Sequence, residues 1–267
     1  MLYIDAHCDS IAPFSQPPQL DVERMRVSES GVQFMAAFSP DFEAVKDMLD
    51  KMDGFEAALA AADPGWRILR AVEGGECLNG DLRRLDWLYR RGVRSLGLTW
   101  NGANALSGGA DTPGLGLTSF GAQVIERMEE LGMLVDLAHI SPEGFFGALE
   151  VCKKPPIVSH TAAHALNPHR RNLTDGQIRA IALRGGVIGV CLYPVFLGGD
   201  TPETVTRHIE HIKNTGGRGC VGLGTDFDGI DQLPRGITGV QDMPKLFELL
   251  DEHTIGLNFW RLVRELP

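Results

Sequence analysis

The sequence predicts a (β/α)8 barrel of the TIM type, an α/β fold spanning residues 1–267 as a single domain. Three observations predict it. Short apolar runs rich in Val, Ile, Leu and Ala recur eight times along the chain, and segments of helical periodicity separate most of them. The connections between successive runs are too long for hairpins, which calls for parallel strands joined by crossovers. At 267 residues with 43% hydrophobic and 22% charged side chains, the chain can bury one large core; length alone would also fit two smaller domains.

Leu2-Tyr3-Ile4-Asp5-Ala6-His7-Cys8-Asp9 reads as a buried strand with a polar tip. Strand side chains alternate, so His7 and Asp9 face one side and Cys8 the other. A proline-rich loop follows, then a short amphipathic segment at 20–26 and a second strand at 31–38. Ser39-Pro40 can cap a helix over 41–62, where Phe42, Val45, Met48, Leu49, Met52, Phe55 and Leu59 recur at helical intervals; it ends near Asp63-Pro64-Gly65. The third strand, 66–72, runs into Glu73-Gly74-Gly75, a carboxylate beside glycines that permit close backbone approach. After a helix at 82–91, the fourth strand at 93–99 enters Trp100-Asn101 and a glycine-rich loop to 116 that lacks periodicity. Long loops in compact domains are usually functional.

Thr118 opens a helix to about 132, and 133–138 is a fifth strand ending at His139. Ser141-Pro142 supplies an N-cap with proline at the first helical position, and that helix reaches 152. The sixth strand, 156–159, ends at His160; Thr174 and Gln177 have capping-box spacing and open a helix to 183. A seventh strand at 186–192 and a helix begun by Thr201-Pro202-Glu203 lead to the eighth strand, 220–224, which ends in Thr225-Asp226-Phe227-Asp228-Gly229.

A formal charge of −10, with no basic run interleaved with aromatics, argues against nucleic acid as a partner and suits a metabolic enzyme. The five cysteines are odd in number and have no C-x-x-C spacing, which favours a reducing compartment. The N-terminus enters a strand without a basic or apolar leader, and no apolar stretch reaches the roughly 18 residues of a membrane span, so the chain as given is expected to be cytoplasmic and off the membrane.

Active sites of such barrels lie at the C-terminal ends of the strands. His7 and Asp9 follow strand one, Glu73 strand three, His139 strand five, His160 strand six and Asp226 strand eight. Each has a structural reading by itself. His7-x-Asp9 could be a hydrogen-bonded strand end, the other histidines caps or core residues, and Glu73 and Asp226 acceptors for loop amides. Their recurrence at different strand ends favours metal ligands, and three histidines with three carboxylates exceed one tetrahedral site but suit two metals sharing a bridging carboxylate. His208 and His211, three apart on a helix, are expected on a solvated face; His164, His169 and His253 receive no role. Asp226-Phe227-Asp228-Gly229 lacks the glycine and glutamate positions of a calcium loop, and Gly222-Leu223-Gly224 precedes no dinucleotide-type helix.

The chain resembles the membrane (renal-type) dipeptidases and their bacterial relatives, a binuclear zinc branch of the amidohydrolase-like barrels. The resemblance runs through most of the chain. It is carried by Asp5-Ala6-His7-Cys8-Asp9, Val72-Glu73-Gly74-Gly75, Leu98-Thr99-Trp100-Asn101, the 131–141 stretch around His139, Ser159-His160, the 168–175 stretch containing Arg171, and Gly222-Leu223-Gly224-Thr225-Asp226. It implies a dipeptidase with two divalent metal ions, Zn2+. His7 and Asp9 would hold one, His139 and His160 the other, and Glu73 would bridge them. Asp226 would relay a proton from water to the leaving amine, and Arg171 would grip the substrate carboxylate, a task that favours a planar bidentate donor. Small dipeptides, including ones with a D-residue at the C-terminal side, are the implied partners, and the implied assembly is a homodimer.

Three departures stand out. Trp100 occupies a position where many members carry a histidine thought to contact the substrate carbonyl; either Trp100 is a hydrophobic wall, with Asn101, Asn104 or a metal polarising that carbonyl, or its N–H donates. The region between strands two and three is short and the C-terminal part compressed, with Leu257-Asn258-Phe259 in place of a glycine-bearing segment. The membrane-anchor signals of animal relatives are absent. A lactonase or N-acyl-amino-acid deacylase on the same metal site is the alternative activity, and a non-catalytic binding homologue a third class.

Overall fold

A computed structural model describes residues 2–12, 17–28, 30–62 and 65–267. Eight parallel strands close into a barrel in sequence order, each pairing with the next and β8 returning to β1. The strands are β1 (Tyr3–Asp5), β2 (Gly31–Ala37), β3 (Arg67–Val72), β4 (Val93–Gly97), β5 (Leu134–Asp136), β6 (Ile157–Thr161), β7 (Val187–Val190) and β8 (Val221–Leu223). The helices are α1 (Val22–Arg26), α2 (Phe42–Ala62), α3 (Leu82–Arg90), α4 (Ser119–Leu131), α5 (Pro142–Val151), α6 (Asp175–Leu183), α7 (Pro194–Leu197), α8 (Pro202–Gly216), α9 (Met243–Phe247) and α10 (Asn258–Val263). Among the described residues no helix is long and apolar enough to cross a membrane. All five cysteines are free and buried.

The helix punctuation works as the residue types dictate. Thr118 and Ser141 cap α4 and α5 by accepting from the N–H three residues on, Pro142 sits in the first turn of α5, and Thr174 with Gln177 forms both arms of a capping box on α6. Gly132 ends α4 in the left-handed conformation, φ 75°, that glycine adopts at low cost. The end of α2 near Asp63-Pro64 lies outside the described residues.

The strands are mostly shorter at their C-terminal ends than the apolar runs predict, because two buried carboxylates bond across the seams between strands. The Asp5 carboxylate takes the N–H of His7 at 3.4 Å and, across the β1–β8 seam, Thr225 N–H at 2.8 Å and Thr225 Oγ1 at 2.6 Å. Asp136 does the same for β5 and β6, accepting from Ala138 N at 3.0 Å and Ser159 N at 2.9 Å. At the seams that carry His7, His139, His160 and Asp226, buried carboxylates replace carbonyls as partners. The backbone leaves the regular ladder there and turns its side chains inward.

Two layers of apolar side chains result. The larger lies between the strands and the surrounding helices; the smaller fills the barrel with Ile4, Val32, Phe34, Leu69, Ile157 and Val187. Phe259, Leu262 and Val263 of α10 join this inner layer, so the C-terminal helix plugs the barrel at the end away from the strand tips. A Cβ at Gly222 would stand 2.6 Å from the Phe259 ring, which is why glycine occupies that point of β8. Asn258 fixes the plug by donating to Arg218 O at 2.7 Å and Val221 O at 2.8 Å. The apolar runs located the strands but left this plug and α7 unread, because each is a single turn or two with no repeating period.

His208 departs from the expected solvated face. It is 1% exposed, its Nδ1 accepts from Ala163 N at 3.0 Å and its Nε2 donates to Leu197 O at 2.9 Å, tying α8 to the loop after β6 and to α7. His211, three residues on, instead meets Asp175 Oδ1 at 2.8 Å.

Candidate metal centre

Five strand tips bring His7, Asp9, Glu73, His139, His160 and Asp226 to one point at the C-terminal mouth of the barrel. Glu73 is central. Its Oε1 lies 2.9 Å from His139 Nε2, 3.5 Å from His160 Nε2 and 3.5 Å from His7 Nε2. His7 Nε2 in turn lies 3.5 Å from Asp9 Oδ2 and 3.8 Å from Asp226 Oδ1. Three overlapping groups could each hold a cation: His7 with Asp9 and Glu73, Glu73 with His139 and His160, and His7 with His160 and Asp226.

Side-chain atoms here are aimed at something other than one another. His7 Nε2 and Asp9 Oδ1 are buried without a hydrogen-bond partner. Asn101 Oδ1 lies 2.8 Å from His139 Nδ1, and an amide oxygen there places the ring proton on Nδ1 and a lone pair on Nε2. That lone pair faces His160 Nε2 at 2.8 Å. Converging imidazole nitrogens and carboxylates, with the outer nitrogens of His139 and His160 held by Asn101 and by Ser159 Oγ at 2.9 Å, form the donor set of a divalent cation. The residues fit the group.

The electrostatics agree with that arrangement. Burial works against a charge on His7, yet Asp9, Glu73 and Asp226 together hold its pKa up to about 10. Burial, reinforced by Asp9, pushes Glu73 well above the ordinary carboxylate range, and burial lifts Asp226 to about 6 against the pull of His7 and Arg171. Burial, aided by the charge of Arg171, holds His139 well below its ordinary value, and burial with His7 does so for His160. A cation relieves crowded carboxylates that resist ionising, and imidazoles kept neutral offer it their lone pairs.

Backbone conformation aims two of these groups. His139 and Asp226 adopt φ of 64° and 66°, a left-handed conformation that costs a non-glycine residue roughly 1–2 kcal/mol. Gly229 closes the same corner, since a Cβ there would stand 2.1 Å from Asp9 Oδ2 and 2.5 Å from Asp226 Oδ1. Asp228, which the sequence leaves without a role, is fully buried and accepts from Ser10 Oγ at 2.5 Å and Gln19 N at 2.6 Å, anchoring the loop after β1.

Above the cluster opens a cavity of about 600 Å3. Phe38, Trp100, Tyr193, Val195, Phe196 and Ile230 supply its apolar walls, and His169, Arg170 and Arg171 a basic side. Arg171 is 6% exposed and its Nε is buried without a partner; Nη2 donates to His160 O at 3.4 Å, and the guanidinium lies 5.6 Å from the Phe196 ring centre. Burial lowers its pKa while Glu73 and Asp226 oppose that shift. Trp100 is 41% exposed, stacked 5.9 Å from His139 and tilted 5.2 Å from Phe38.

Asn101 lines the cavity, but its carbonyl is engaged by His139, which makes it an orienting partner of that ring. Asn104 is turned into its own loop, donating to Leu98 O at 2.8 Å and accepting from Leu106 N at 2.7 Å, so it is not available to a carbonyl in the cavity. Sequence reasoning gave no role to Asp5, Asp136 or Tyr193. The signal for the first two was a carboxylate inside an apolar strand run two and three residues before a histidine. Tyr193 had no such signal, because α7 places it.

The sequence profile of the membrane dipeptidase family, peptidase family M19, matches residues 2–258. An uncharacterized protein of the pqqA 5' region of Klebsiella pneumoniae is 36% identical over 209 residues, covering 71% of this chain and 77% of its own. An uncharacterized dipeptidase of Schizosaccharomyces pombe is 34% identical over 282 residues, covering 89% and 67%. In fold, the chain is similar to a metallo peptidase of Rhodobacter sphaeroides liganded with a phosphinate mimic of the dipeptide L-Ala-D-Ala, with a TM-score of 0.90 at 24% identity over 100% of this chain and 99% of that one. A dipeptidase described as a metallo peptidase of family M19 matches equally, with a TM-score of 0.90 at 24% identity over 100% and 98%.

Proposed function

We propose, on the premise that the chain belongs to the membrane dipeptidase family, peptidase family M19, that it cleaves the peptide bond of small dipeptides using two zinc ions. Membership makes it a metallo-dipeptidase, a hydrolase with a closed barrel. The observation that carries the substrate reading is Arg171, a buried guanidinium with an unpartnered Nε beside the cluster. A charge so placed calls for an anionic guest, and a dipeptide's C-terminal carboxylate meets that need.

His7 and Asp9 would hold one ion, His139 and His160 the other, with Glu73 shared. When bound, such ions lower the pKa of water and polarise a carbonyl. The chain's own residues do the rest. Arg171 binds the free carboxylate and sets the register of the peptide bond over the cluster. Asp226, at the cavity floor, takes a proton from the attacking water and returns it to the leaving amine. The apolar walls exclude water from the side-chain positions.

The test is a substrate panel on zinc-loaded protein: L,L- and L,D-dipeptides, their C-terminal amides, N-acetyl amino acids and lactones. Free dipeptides are expected to be the best substrates. Arg171→Met is expected to raise KM about 10- to 150-fold, the worth of a charge-assisted pair of about 1.5–3 kcal/mol. Amides cleaved as well as free dipeptides would overturn the carboxylate reading, and lactones preferred over both would replace it with the rival activity.

Trp100 serves in this reading as a wall, since its ring is 41% exposed and packed against Phe38 and His139. Trp100→Phe keeps the ring and removes the N–H, and kcat is expected to fall by less than about tenfold, short of the roughly 10²–10³ that loss of an oxyanion donor costs. A hundredfold fall at unchanged KM and metal content would make the indole N–H a catalytic donor.

A further inference from the structure

A second cavity, of about 240 Å3, lies behind Arg171 between α5 and α6. It shares His139, His169, Arg170 and Arg171 with the larger one, so the Arg171 side chain borders both. Its remaining lining includes Pro142, Phe145, His164, Asn172, Thr174 and Gln177, and no acidic side chain lines it among the described residues. Both flanking helices begin here: Pro142 opens the 10 residues of α5, and Thr174 caps the 9 residues of α6. Helix N-termini carry partial positive charge. The acids on the flanking segments already have partners: Asp111 pairs with Arg170 of the lining, Glu143 accepts from Gly114 N at 3.0 Å, and Asp175 meets His211 at 2.8 Å.

We infer that this chamber receives the side-chain carboxylate of an acidic C-terminal residue, so that the enzyme favours dipeptides ending in glutamate or aspartate. The inference rests on the dipeptidase reading of the larger cavity. Arg171 has donors to spare, because a guanidinium offers five N–H groups and its Nε has no partner. One edge meets the backbone carboxylate and another borders the chamber. At about 240 Å3 the chamber has room for a carboxyethyl group with several waters, each of which takes about 30 Å3 of liquid. Asn172 Oδ1, buried without a partner, suits a bridging water as its acceptor. A lysine or arginine side chain entering the chamber would meet the guanidinium and two helix N-termini, with no acidic side chain in the lining to pair with.

Comparing kcat/KM for Ala-Glu with Ala-Gln, and for Ala-Asp with Ala-Asn, isolates the charge at constant shape. The acidic member is expected to lead by about tenfold or more, the scale of a charge-assisted hydrogen bond. A ratio near one overturns the inference. Gln177→Glu preserves the capping box, which takes either residue, while placing an acid in the chamber. That variant is expected to bring the ratio close to one; an undiminished preference would show that the side chain goes elsewhere. Calorimetric titration with free glutamate and glutamine separates this inference from the one beneath it. If no dipeptide is cleaved, the dipeptidase reading fails by itself, and the chamber stands on a tenfold tighter affinity for glutamate or falls on equal affinity.

Discussion

Asp226→Asn is expected to lower kcat by about 10²–10⁴, the usual contribution of a positioned general acid–base group, with both metals retained. The substitution keeps the shape of the side chain and takes away its capacity to accept and return a proton. The geometry favours that separation of roles. Asp226 lies on the cavity floor, 7% exposed, with Oδ1 3.8 Å from His7 Nε2 and Oδ2 3.5 Å from the Cys191 thiol. Its φ of 66° holds the carboxylate at the mouth of β8. Elemental analysis beside the kinetics decides between two failures. A fall below tenfold would move the proton carrier to another residue, and loss of one metal would make Asp226 a ligand in the group it forms with His7 and His160.

Glu73→Gln is expected to weaken both metals together, by about a hundredfold or more, with turnover lost in parallel. Even an outer partner of a ligand typically costs 10- to 100-fold in affinity, and Glu73 is placed as a direct neighbour of His139, His160 and His7 at 2.9, 3.5 and 3.5 Å. The amide also removes one negative charge from a buried cluster whose remaining acids are Asp9 and Asp226. The fold around it is held independently: Glu73 N donates to Ala37 O at 3.0 Å, and Gly74 turns the chain at φ 84°. Metal content measured against a chelator series gives the two affinities directly. One metal retained at the affinity of the unmodified protein would show that the carboxylate serves a single ion.

Much of this arrangement is legible locally. A buried strand announces itself by a short apolar run, and its polar tip follows within two or three residues, so His7, Asp9, Glu73, His139, His160 and Asp226 can be picked out before any distance is known. The caps at Thr118, Ser141 and Thr174 are equally local, because a hydroxyl and the N–H it accepts lie three residues apart. The strand ends are less so. Asp5 and Asp136 shorten the strands by bonding across to Thr225 and Ser159, partners 220 and 23 residues away. His208 was misplaced for the same reason: its two partners, Ala163 and Leu197, lie 45 and 11 residues off and come from other elements.

The sequence by itself determined the order of strands and helices and the kinds of side chain at the strand tips, since both follow from periodicity and from residues close along the chain. Tertiary structure alone decided that Glu73 is the carboxylate in reach of three imidazoles, that Asn101 orients His139 while Asn104 turns away, that α10 plugs the barrel, and that Arg171 stands between two cavities with an unpartnered nitrogen. The physical reason is the closure of the barrel. It brings tips as far apart in sequence as residues 7 and 226 to within 3.8 Å, and it leaves at the mouth whatever charge the folded chain does not itself neutralise.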